Sequence, residues 1–343
     1  MGGVNRRIST LAVALVPIMI FGALLWLVTV PYVALGPGPT FNTLGEVEGM
    51  EVVDIEGTEV HPTSGHLNMT TVSQRDQLSL LQALVFWASG RDQLVPRDLV
   101  YPPNRTREEV EEANTRDFRE SEDSAEYAAL HYLDYPMAIT VESIDEDGAS
   151  KGKLQAGDAI DAVNNTPVAD LEEFQALMAD TKPGETIVVD YRRKNAPAGT
   201  AEITLGEHPD GDKGLLGVNV LDAPWAPFTI EFNLANIGGP SAGLMFSLAV
   251  VDKLTTGDLN GSKFVAGTGT ISGDGEVGAI GGITHKIVAA EDAGATVFLV
   301  PADNCDEAKT ADADGIDLLK VDTLKRAIDS LRELSAGGEP PRC

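Results

Sequence analysis

Residues 237–251 read IGGPSAGLMFSLAVV and place a serine at the start of an apolar, helix-like stretch. The glycines allow a tight turn, and proline is favoured in the first turn of a helix. Ser241 is therefore predicted at a helix N-terminus, where unpaired backbone N–H groups can stabilise a developing oxyanion. We assign that backbone role to Gly239, Pro240 and Ala242. A helix cap alone would not need glycines on both sides, so we interpret Ser241 as a nucleophile.

A second cluster supplies candidates for the base that serine needs. The run GTGTI at 267–271 ends a predicted strand, and 280–290 reads IGGITHKIVAA. His285 and Lys286 both lie in this second run. A lysine acts as a base only when it is neutral, and burial near the positive end of a helix dipole lowers its pKa.

The runs GGPSAG, GTGTI and IGGITHKIVAA, in this order, resemble the proteolytic domain of Lon-type peptidases over most of residues 215–335. The resemblance implies a Ser–Lys dyad, with Ser241 as nucleophile and Lys286 as base. It also implies that Thr268 helps to hold the lysine. Thr270 stands where a glutamate is common in the ATP-dependent members, which leaves the role of position 270 open.

Two other interpretations remain at this point. The run 239–243 also matches the G-x-S-x-G nucleophile elbow, which leaves a Ser-His-Asp hydrolase using His285 as an alternative. That fold needs a large βα sheet, for which residues 212–334 are too few. The other alternative is a non-catalytic, membrane-tethered peptide-binding scaffold with a Lon-like fold.

Residues 135–207 have a different sequence texture. MAITVESI at 137–144 alternates like a strand, and GKLQAGDAIDAVNNTPV at 152–168 resembles the most characteristic stretch of bacterial PDZ domains. The resemblance implies a small β-sandwich whose groove takes an extended peptide by strand addition and so recruits substrate. Tyr135–Ala138 is interpreted as the carboxylate-binding loop. We expect a strand and the following helix to line the groove with Ile139, Val141, Leu171 and Phe174.

The N-terminal region predicts a membrane segment. Residues 9–30, STLAVALVPIMIFGALLWLVTV, carry no charge and would form a helix about 33 Å long, against roughly 30 Å of bilayer hydrocarbon. Arg6 and Arg7 precede it and acidic residues follow, so the positive-inside rule predicts that residues 1–8 are cytoplasmic. A cleaved signal peptide is the alternative, although its apolar region is usually shorter. We predict a single-pass anchor in the cell membrane, with the bulk of the chain outside the cytoplasm.

Composition excludes several classes of function. The 343 residues include 25 Lys and Arg against 53 Asp and Glu, a net charge of −28, which disfavours nucleic-acid binding. The two cysteines cannot form a four-cysteine zinc site, and we expect neither a metal nor a cofactor. In an oxidising compartment Cys305 and Cys343 could pair and hold the tail, residues 335–343, against the body.

We therefore predict an α+β architecture with these parts after residue 8: a transmembrane helix (9–30), a strand and helix region packing on the protease domain (31–134), a PDZ-like β-sandwich (135–207), a Lon-type proteolytic α+β domain (212–334) and a tail (335–343). The first part of the acidic helix at 106–132 is expected to be solvated. No G-x-x-x-x-G-K-[ST] motif occurs. The combination resembles the ATP-independent, PDZ-containing Lon-like proteases of the bacterial surface. That resemblance implies a membrane-anchored serine endopeptidase that cleaves unfolded or misfolded proteins or peptides, and it allows a ring-like homo-oligomer.

Overall fold

The computed structural model describes residues 2–209, 211–235 and 237–343, with side chains from residue 13 onward within those ranges. Its helices, in chain order, are α1 (Gly2–Leu27), α2 (Leu80–Ser89), α3 (Arg97–Val100), α4 (Arg107–Tyr132), α5 (Leu171–Ala179), α6 (Gly243–Leu254), α7 (Ile283–Asp292), α8 (Cys305–Ala308) and α9 (Leu324–Ser335), with a 3-10 turn at Ala302–Asn304. Its strands are β1 (Tyr32–Asn42), β2 (Glu46–Val47), β3 (Met50–Glu51), β4 (Val53–Glu56), β5 (His66–Arg75), β6 (Gln93–Pro96), β7 (Met137–Ile144), β8 (Ala159–Val163), β9 (Thr166–Pro167), β10 (Thr186–Arg192), β11 (Gly199–Thr204), β12 (Gly206–Glu207), β13 (Gly214–Leu215), β14 (Val218–Pro224), β15 (Thr229–Phe232), β16 (Phe264–Gly267), β17 (Thr270–Ile271), β18 (Val277–Gly278), β19 (Val297–Pro301) and β20 (Asp317–Val321).

A mixed six-stranded sheet combines strands from the later part of the chain with strands from its beginning. The strand order is β20-β19-β16-β5-β1-β6. The first four of these strands are parallel, whereas β1 pairs antiparallel with both β5 and β6. Because β5 pairs with β16, residues on both sides of the PDZ-like region form one continuous sheet.

Helices cover both faces of this sheet. Alternation along β16 sends Val265 into the core under α6 and Ala266 into the core under α7. The α6 core is completed by α4 and α9, and it contains the edge-to-face pair of Phe118 and Phe246. All twelve residues of α6 except the last are buried, so this helix forms the centre of the domain.

The PDZ-like part is a second, antiparallel sheet with the order β11-β10-β8-β7-β14, and β9 pairs with β8. Its core contains Ile139, Ile160, Ile187 and Ile203, and Phe174 of α5 covers them. The strand β14 pairs with β7 along its whole length, from Val218 opposite Ile144 to Pro224 opposite Met137. Residues 218–224, which the sequence analysis assigned to the proteolytic domain, therefore complete the PDZ-like sheet.

The β10–β11 turn joins the two sheets. Lys194 in this turn forms an ion pair with Glu126 of α4. The backbone N–H of Asn195 donates to Pro227, and its side-chain amide donates to Glu56 and Thr229. The PDZ-like module thus contacts the peptidase part through this turn and through packing between α4 and β14, as well as through the chain that leads from β14 into β15.

Two predictions about architecture are wrong. The sheet around β16 has parallel strands joined through helices on both faces, so the fold is mixed α/β and not α+β. In the described part of the chain no helix has both the length and the apolar character needed to cross a bilayer. The predicted transmembrane helix at 9–30, the single-pass topology and the location derived from it are therefore wrong.

The path of the chain after α1 explains part of the difference between the predicted membrane helix and the structure. α1 ends at Leu27, and the last predicted membrane residues continue as extended chain. Thr29 forms a bridge to Ser79, and the N–H of Val30 donates to Leu78. These residues therefore pack against the start of α2. The side chains of the predicted N-terminal segment 1–8, including Arg6 and Arg7, lie outside the described part.

The acidic helix is not a solvated face throughout. Phe118, Ser121 and Ala125 of α4 are buried, and so are Ala128, Ala129 and Leu130. Their spacing of three and four residues forms a stripe that packs on α6. The charged residues of α4 occupy its remaining surface. Because they are so numerous, the composition of the helix does not reveal the buried stripe.

The C-terminal tail is held at the sheet edge. Cys305 and Cys343 form a disulfide bond. Around it, the N–H of Cys343 donates to Leu318 and the N–H of Lys320 donates to Pro341, so the tail forms a short antiparallel bridge to β20.

Candidate active site

Ser241, Thr268 and Lys286 meet at the carboxyl end of β16. Thr268 directly follows the strand, Ser241 precedes α6 by two residues, and Lys286 lies in the first turn of α7. Since α6 and α7 cover opposite faces of the sheet, their N-termini come together only at this end of the strand. Backbone hydrogen bonds from Gly269 to Ser241 and from Leu244 to Gly269 fix the junction.

The three side chains form a short hydrogen-bonded chain. The Nζ atom of Lys286 lies 2.6 Å from the Oγ atom of Ser241 and 2.9 Å from the Oγ1 atom of Thr268. The Thr268 hydroxyl donates to the backbone carbonyl of Ser241, 3.0 Å away. Because the Thr268 hydroxyl donates its single proton to this carbonyl, its oxygen can only accept a hydrogen bond from Lys286.

Lys286 lies in an environment that favours the neutral amine. The residue is only 4% exposed, and no carboxylate forms an ion pair with it in the described structure. Burial penalises the charged form and lowers the pKa of Lys286 to about 7. A lysine of this kind can accept a proton near neutral pH.

The loop before Ser241 is shaped by contacts with α4. Gly239 has a φ of 89°, a conformation that favours glycine, and its N–H donates to the carbonyl of Asn114 over 2.8 Å. The Ser121 hydroxyl donates to the carbonyl of Pro240 over 3.1 Å. α4 therefore holds the loop at two points, which the sequence analysis did not anticipate. The spacing of Phe118, Ser121 and Ala125 was the available signal.

These contacts correct part of the predicted oxyanion site. The Gly239 N–H is already donated to Asn114, and Pro240 has no N–H to donate. In contrast, neither the N–H of Ala242 nor that of Ser241 has an acceptor among the described residues. These two groups at the start of α6 are therefore available to a developing oxyanion.

His285 does not take part in this geometry. It is only 9% exposed, and its Nε2 atom has no partner in the described part of the chain. Burial lowers the pKa of His285. No hydrogen bond connects its ring to Ser241, whereas the neighbouring Lys286 reaches the serine directly. The arrangement therefore offers no Ser-His pair.

The loop before α7 has a support that sequence reasoning missed. The Asn304 side-chain amide accepts from the N–H of Ile280 and donates to its carbonyl. Ile280 and Gly281 line the cleft next to Ser241, and Thr270 lines it as well. The described residues contain no group of three or more His, Cys, Asp or Glu side chains that could hold a metal ion.

A cleft of about 1400 Å³ opens over Ser241 and Lys286. One wall is α4, and the opposite wall is the stretch of β5 from Met69 to Gln74. Phe41, Phe118 and Phe232 are among the apolar residues that line the cleft. The volume exceeds the roughly 300–1,000 Å³ of small-molecule pockets, which suits a polymeric ligand.

The predicted peptide groove in the PDZ-like part is wrong in position. Ile139 and Val141 are 1% and 0% exposed, and their strand β7 is paired with β8 on one side and β14 on the other. Phe174 is a core residue, and Leu171 is partly buried. The backbone of β7 therefore has no free edge. Met137 and Ala138 of the predicted carboxylate loop likewise pair with Pro224 and Ala223.

The free edge belongs to β14. This strand pairs only with β7 among the described strands, and α5 packs beside it. The N–H of Leu171, at the start of α5, donates to Asp222 of β14. α5 therefore lies beside the edge of β14 that pairs with no other described strand.

Comparisons with known proteins match the two parts of the chain separately. Residues 112–205 match the family model described as PDZ domain, and residues 236–333 match the model described as Lon protease (S16) C-terminal proteolytic domain. The two matches support a serine-type peptidase with a PDZ domain before its peptidase part.

Individual relatives match over shorter stretches. "Lon protease 2" of Bacillus subtilis is 34% identical over 95 residues, which is 28% of this chain and 17% of that protein. "Lon protease" of Clostridioides difficile is 44% identical over 63 residues, 18% of this chain and 8% of that protein. "Probable periplasmic serine endoprotease DegP-like" of Pseudomonas fluorescens is 39% identical over 88 residues, 24% of this chain and 17% of that protein. The chain thus spans less than a fifth of the length of these curated relatives.

Among solved structures, the PDZ domain of an SdrC-like protein from Listeria innocua is 26% identical. It covers 24% of this chain and 92% of its own, with a TM-score of 0.23.

Proposed function

We propose that this chain is a serine endopeptidase in which Ser241 is the nucleophile and Lys286 the general base. The observation that carries the proposal is the 2.6 Å separation between Ser241 Oγ and the Nζ atom of a buried lysine. The match of residues 236–333 to the Lon peptidase model supports it independently.

The hydrogen-bond directions define how the dyad would act. Thr268 accepts one N–H of the neutral amine, which leaves the Lys286 lone pair facing the Ser241 hydroxyl. Ser241 Oγ attacks the scissile carbonyl carbon as its proton passes to Nζ. The ammonium then returns this proton to the leaving amine. In the second half-reaction water attacks the acyl carbon as its proton passes to Lys286. The ammonium then returns this proton to Ser241 Oγ as the bond to the acyl carbon breaks.

The oxyanion formed in each step would be held by backbone N–H groups of Ser241 and Ala242. Both lack acceptors among the described residues and lie at the positive end of the α6 dipole. Removal of a single donor from such a site costs about 10²–10³ in kcat in other serine peptidases. All of these groups come from one chain, so the site would be complete in one copy, whether or not copies assemble into a ring.

We propose that substrates are unfolded or misfolded chains. The cleft over Ser241 is lined by residues of β5 and α4, and its volume of about 1400 Å³ leaves room for extended backbone. The printed sequence contains no phosphate-binding loop, so we propose that cleavage by this chain requires no ATP.

We propose that the PDZ domain recruits substrate by strand addition at the edge of β14. Its free edge, with α5 beside it, is the geometry that takes an extended peptide. Recruitment would raise the local concentration of substrate at Ser241 without changing the chemical step.

Casein cleavage by the full chain tests the dyad. Ser241→Ala should abolish cleavage, and Lys286→Met, which keeps the apolar stem, should do the same. The matched control is Ser247→Ala in α6, where the hydroxyl is buried but donates only to Gly243. Folding of each variant is checked by circular dichroism. Cleavage by folded Ser241→Ala would reject the nucleophile, and a wild-type chain without cleavage would favour the non-catalytic scaffold.

A further inference from the structure

One wall of the cleft contains a carboxylate that the dyad does not use. Glu122 lies on α4, one residue after Ser121, whose hydroxyl binds the carbonyl next to Ser241. Its side chain lines the cleft together with Ser241 and Lys286. No hydrogen bond or ion pair joins Glu122 to another residue in the described structure, although Arg119 lies one turn away.

The position of Glu122 along α4 places it at the catalytic end of the cleft. The residues of α4 that line the cleft form one helical stripe: Glu111, Asn114, Thr115, Phe118, Arg119 and Glu122. Asn114 binds the loop at Gly239 and Ser121 binds it at Pro240, so the loop runs along the stripe toward Glu122. Glu111 lies about 16 Å further away at 1.5 Å per residue.

The two acidic residues of this stripe differ in their partners. Glu111 is exposed and forms an ion pair with Arg107 over 2.7 Å. Glu122 is half-buried and lacks such a partner. Burial and the neighbouring charge of Asp123 raise the pKa of Glu122 to about 7, while Arg119 acts in the opposite direction. An unpaired carboxyl in a partly desolvated site gains strongly from an added cation.

We infer that Glu122 is a specificity-determining residue that binds a lysine or arginine side chain of the substrate close to the scissile bond. This inference rests on the proposed peptidase function and names one class of its substrates. An ammonium or guanidinium group in the cleft would supply the partner that Glu122 lacks. The apolar lining around Phe118 would contact the methylene stem of the same side chain.

The test compares capped peptides that differ at one position. A parent sequence with lysine is matched to the same peptide with norleucine, and the position is moved through the three residues on each side of the cleaved bond. We expect one position at which wild-type kcat/KM is about tenfold higher for lysine, the size of one hydrogen bond to a charged group. Glu122→Gln should remove this preference.

Two control variants separate a local effect from a change in overall charge. Glu120→Gln removes the same charge from an exposed position two residues away that does not line the cleft. Glu111→Gln removes a cleft carboxylate that is already paired. Both should keep the lysine preference within about twofold, because Glu120 does not line the cleft and Glu111 lies about 16 Å from Glu122 along α4. Loss of the preference in Glu120→Gln to the same extent as in Glu122→Gln would overturn the inference.

Binding provides a readout that does not require cleavage. In the Ser241→Ala background, the lysine peptide should bind about tenfold more tightly than the norleucine peptide, and Ser241→Ala/Glu122→Gln should bind both equally. Amidated C-termini reduce binding to the PDZ domain. Equal affinities in the Ser241→Ala background overturn the role of Glu122. Failure of the dyad proposal would be detected separately, as cleavage by the Ser241→Ala variant.

Discussion

Asn304 binds both backbone groups of Ile280 with one side chain. Its Oδ1 atom accepts from the Ile280 N–H over 2.9 Å, and its Nδ2 atom donates to the Ile280 carbonyl over 3.0 Å. Asn304 is only 5% exposed, and Ile280 lies just before the helix that carries Lys286. The amide therefore fixes the backbone from which the lysine reaches Ser241.

We predict that Asn304→Leu, which keeps a similar volume, destabilises the fold by about 2–3 kcal/mol. Both backbone groups of Ile280 would lose their buried partner. kcat should fall more than KM rises, because the lysine loses its fixed position. Urea unfolding and peptide kinetics measure the two effects. Asp303→Ala, at the exposed neighbouring position, should change neither quantity, and an unaltered kcat in folded Asn304→Leu would contradict the positioning role.

The pH profile should report the protonation of Lys286. Its pKa is lowered to about 7, so the amine is largely neutral at pH 8 and largely charged at pH 6. Since the base must be neutral, kcat/KM should rise about tenfold per pH unit below 7 and level off above it. The measurement uses a peptide without basic residues between pH 5.5 and 9.

Glu122→Gln is the control for this profile, because the pKa of Glu122 is also raised to about 7. The rising limb should persist in this variant. If the rising limb of kcat/KM disappears in Glu122→Gln, it reports the titration of the Glu122 carboxyl. The assignment of the base to Lys286 would then lose its kinetic support.

Thr268 should matter through its hydroxyl alone. Thr268→Val removes one partner from Lys286 and one from the Ser241 carbonyl while keeping the shape of a residue with 0% exposure. We expect kcat to fall by about 10²-fold, within the range for misplaced acid–base groups. Thr268→Ser keeps the hydroxyl and should retain most of the activity. Similar losses in the two variants would point to packing instead.

The disulfide should stabilise the fold without affecting the chemical step. Cys343→Ser opens a loop with a sequence separation of 38 and should cost about 2–4 kcal/mol in the free energy of unfolding. Asn304 keeps its bonds to Ile280, so kcat at 25 °C should stay within about twofold. Guanidinium unfolding with and without reductant makes the comparison: reductant should lower the wild type to the Cys343→Ser value and leave the variant unchanged.

Competition can separate the PDZ groove from the catalytic cleft. An excess of a short peptide with a free C-terminus should raise the apparent KM for unfolded casein by occupying the edge of β14. Cleavage of a short capped peptide should change much less, because it needs only the cleft. The amidated form of the competitor is the control. Equal inhibition of both substrates would place the competitor in the cleft and contradict the recruiting role.

Local patterns predicted the PDZ-like strands well. The alternation in MAITVESI predicted a strand at residues 137–144, and β7 has the same bounds. What no local pattern contains is pairing between distant segments. β14 follows residue 207, the predicted end of the PDZ-like domain. Its pairing with β7 occupies the strand edge at which the peptide groove was predicted.

The catalytic region likewise combines residues that sequence motifs predict with distant contacts that they do not. Motif order predicted which serine, threonine and lysine belong together. The contacts of Asn114 and Ser121 with the loop before Ser241 come from a helix more than a hundred residues earlier in the chain. The spacing of Phe118, Ser121 and Ala125 was the one sequence signal for the buried stripe of that helix, whereas the unpaired Glu122 could be recognised only in three dimensions.

The pairing of β5 with β16 has a consequence for biosynthesis. His66 lies opposite Phe264, so the central sheet cannot close until nearly four-fifths of the chain has left the ribosome. Until then β5 has no partner on that side, and Lys286, which follows Phe264 in the chain, has not yet left the ribosome. The PDZ-like sheet is complete at residue 224 and can fold while the nascent chain is still without its base. Strand order along the chain thus delays assembly of the candidate active site until well after the PDZ-like sheet is complete.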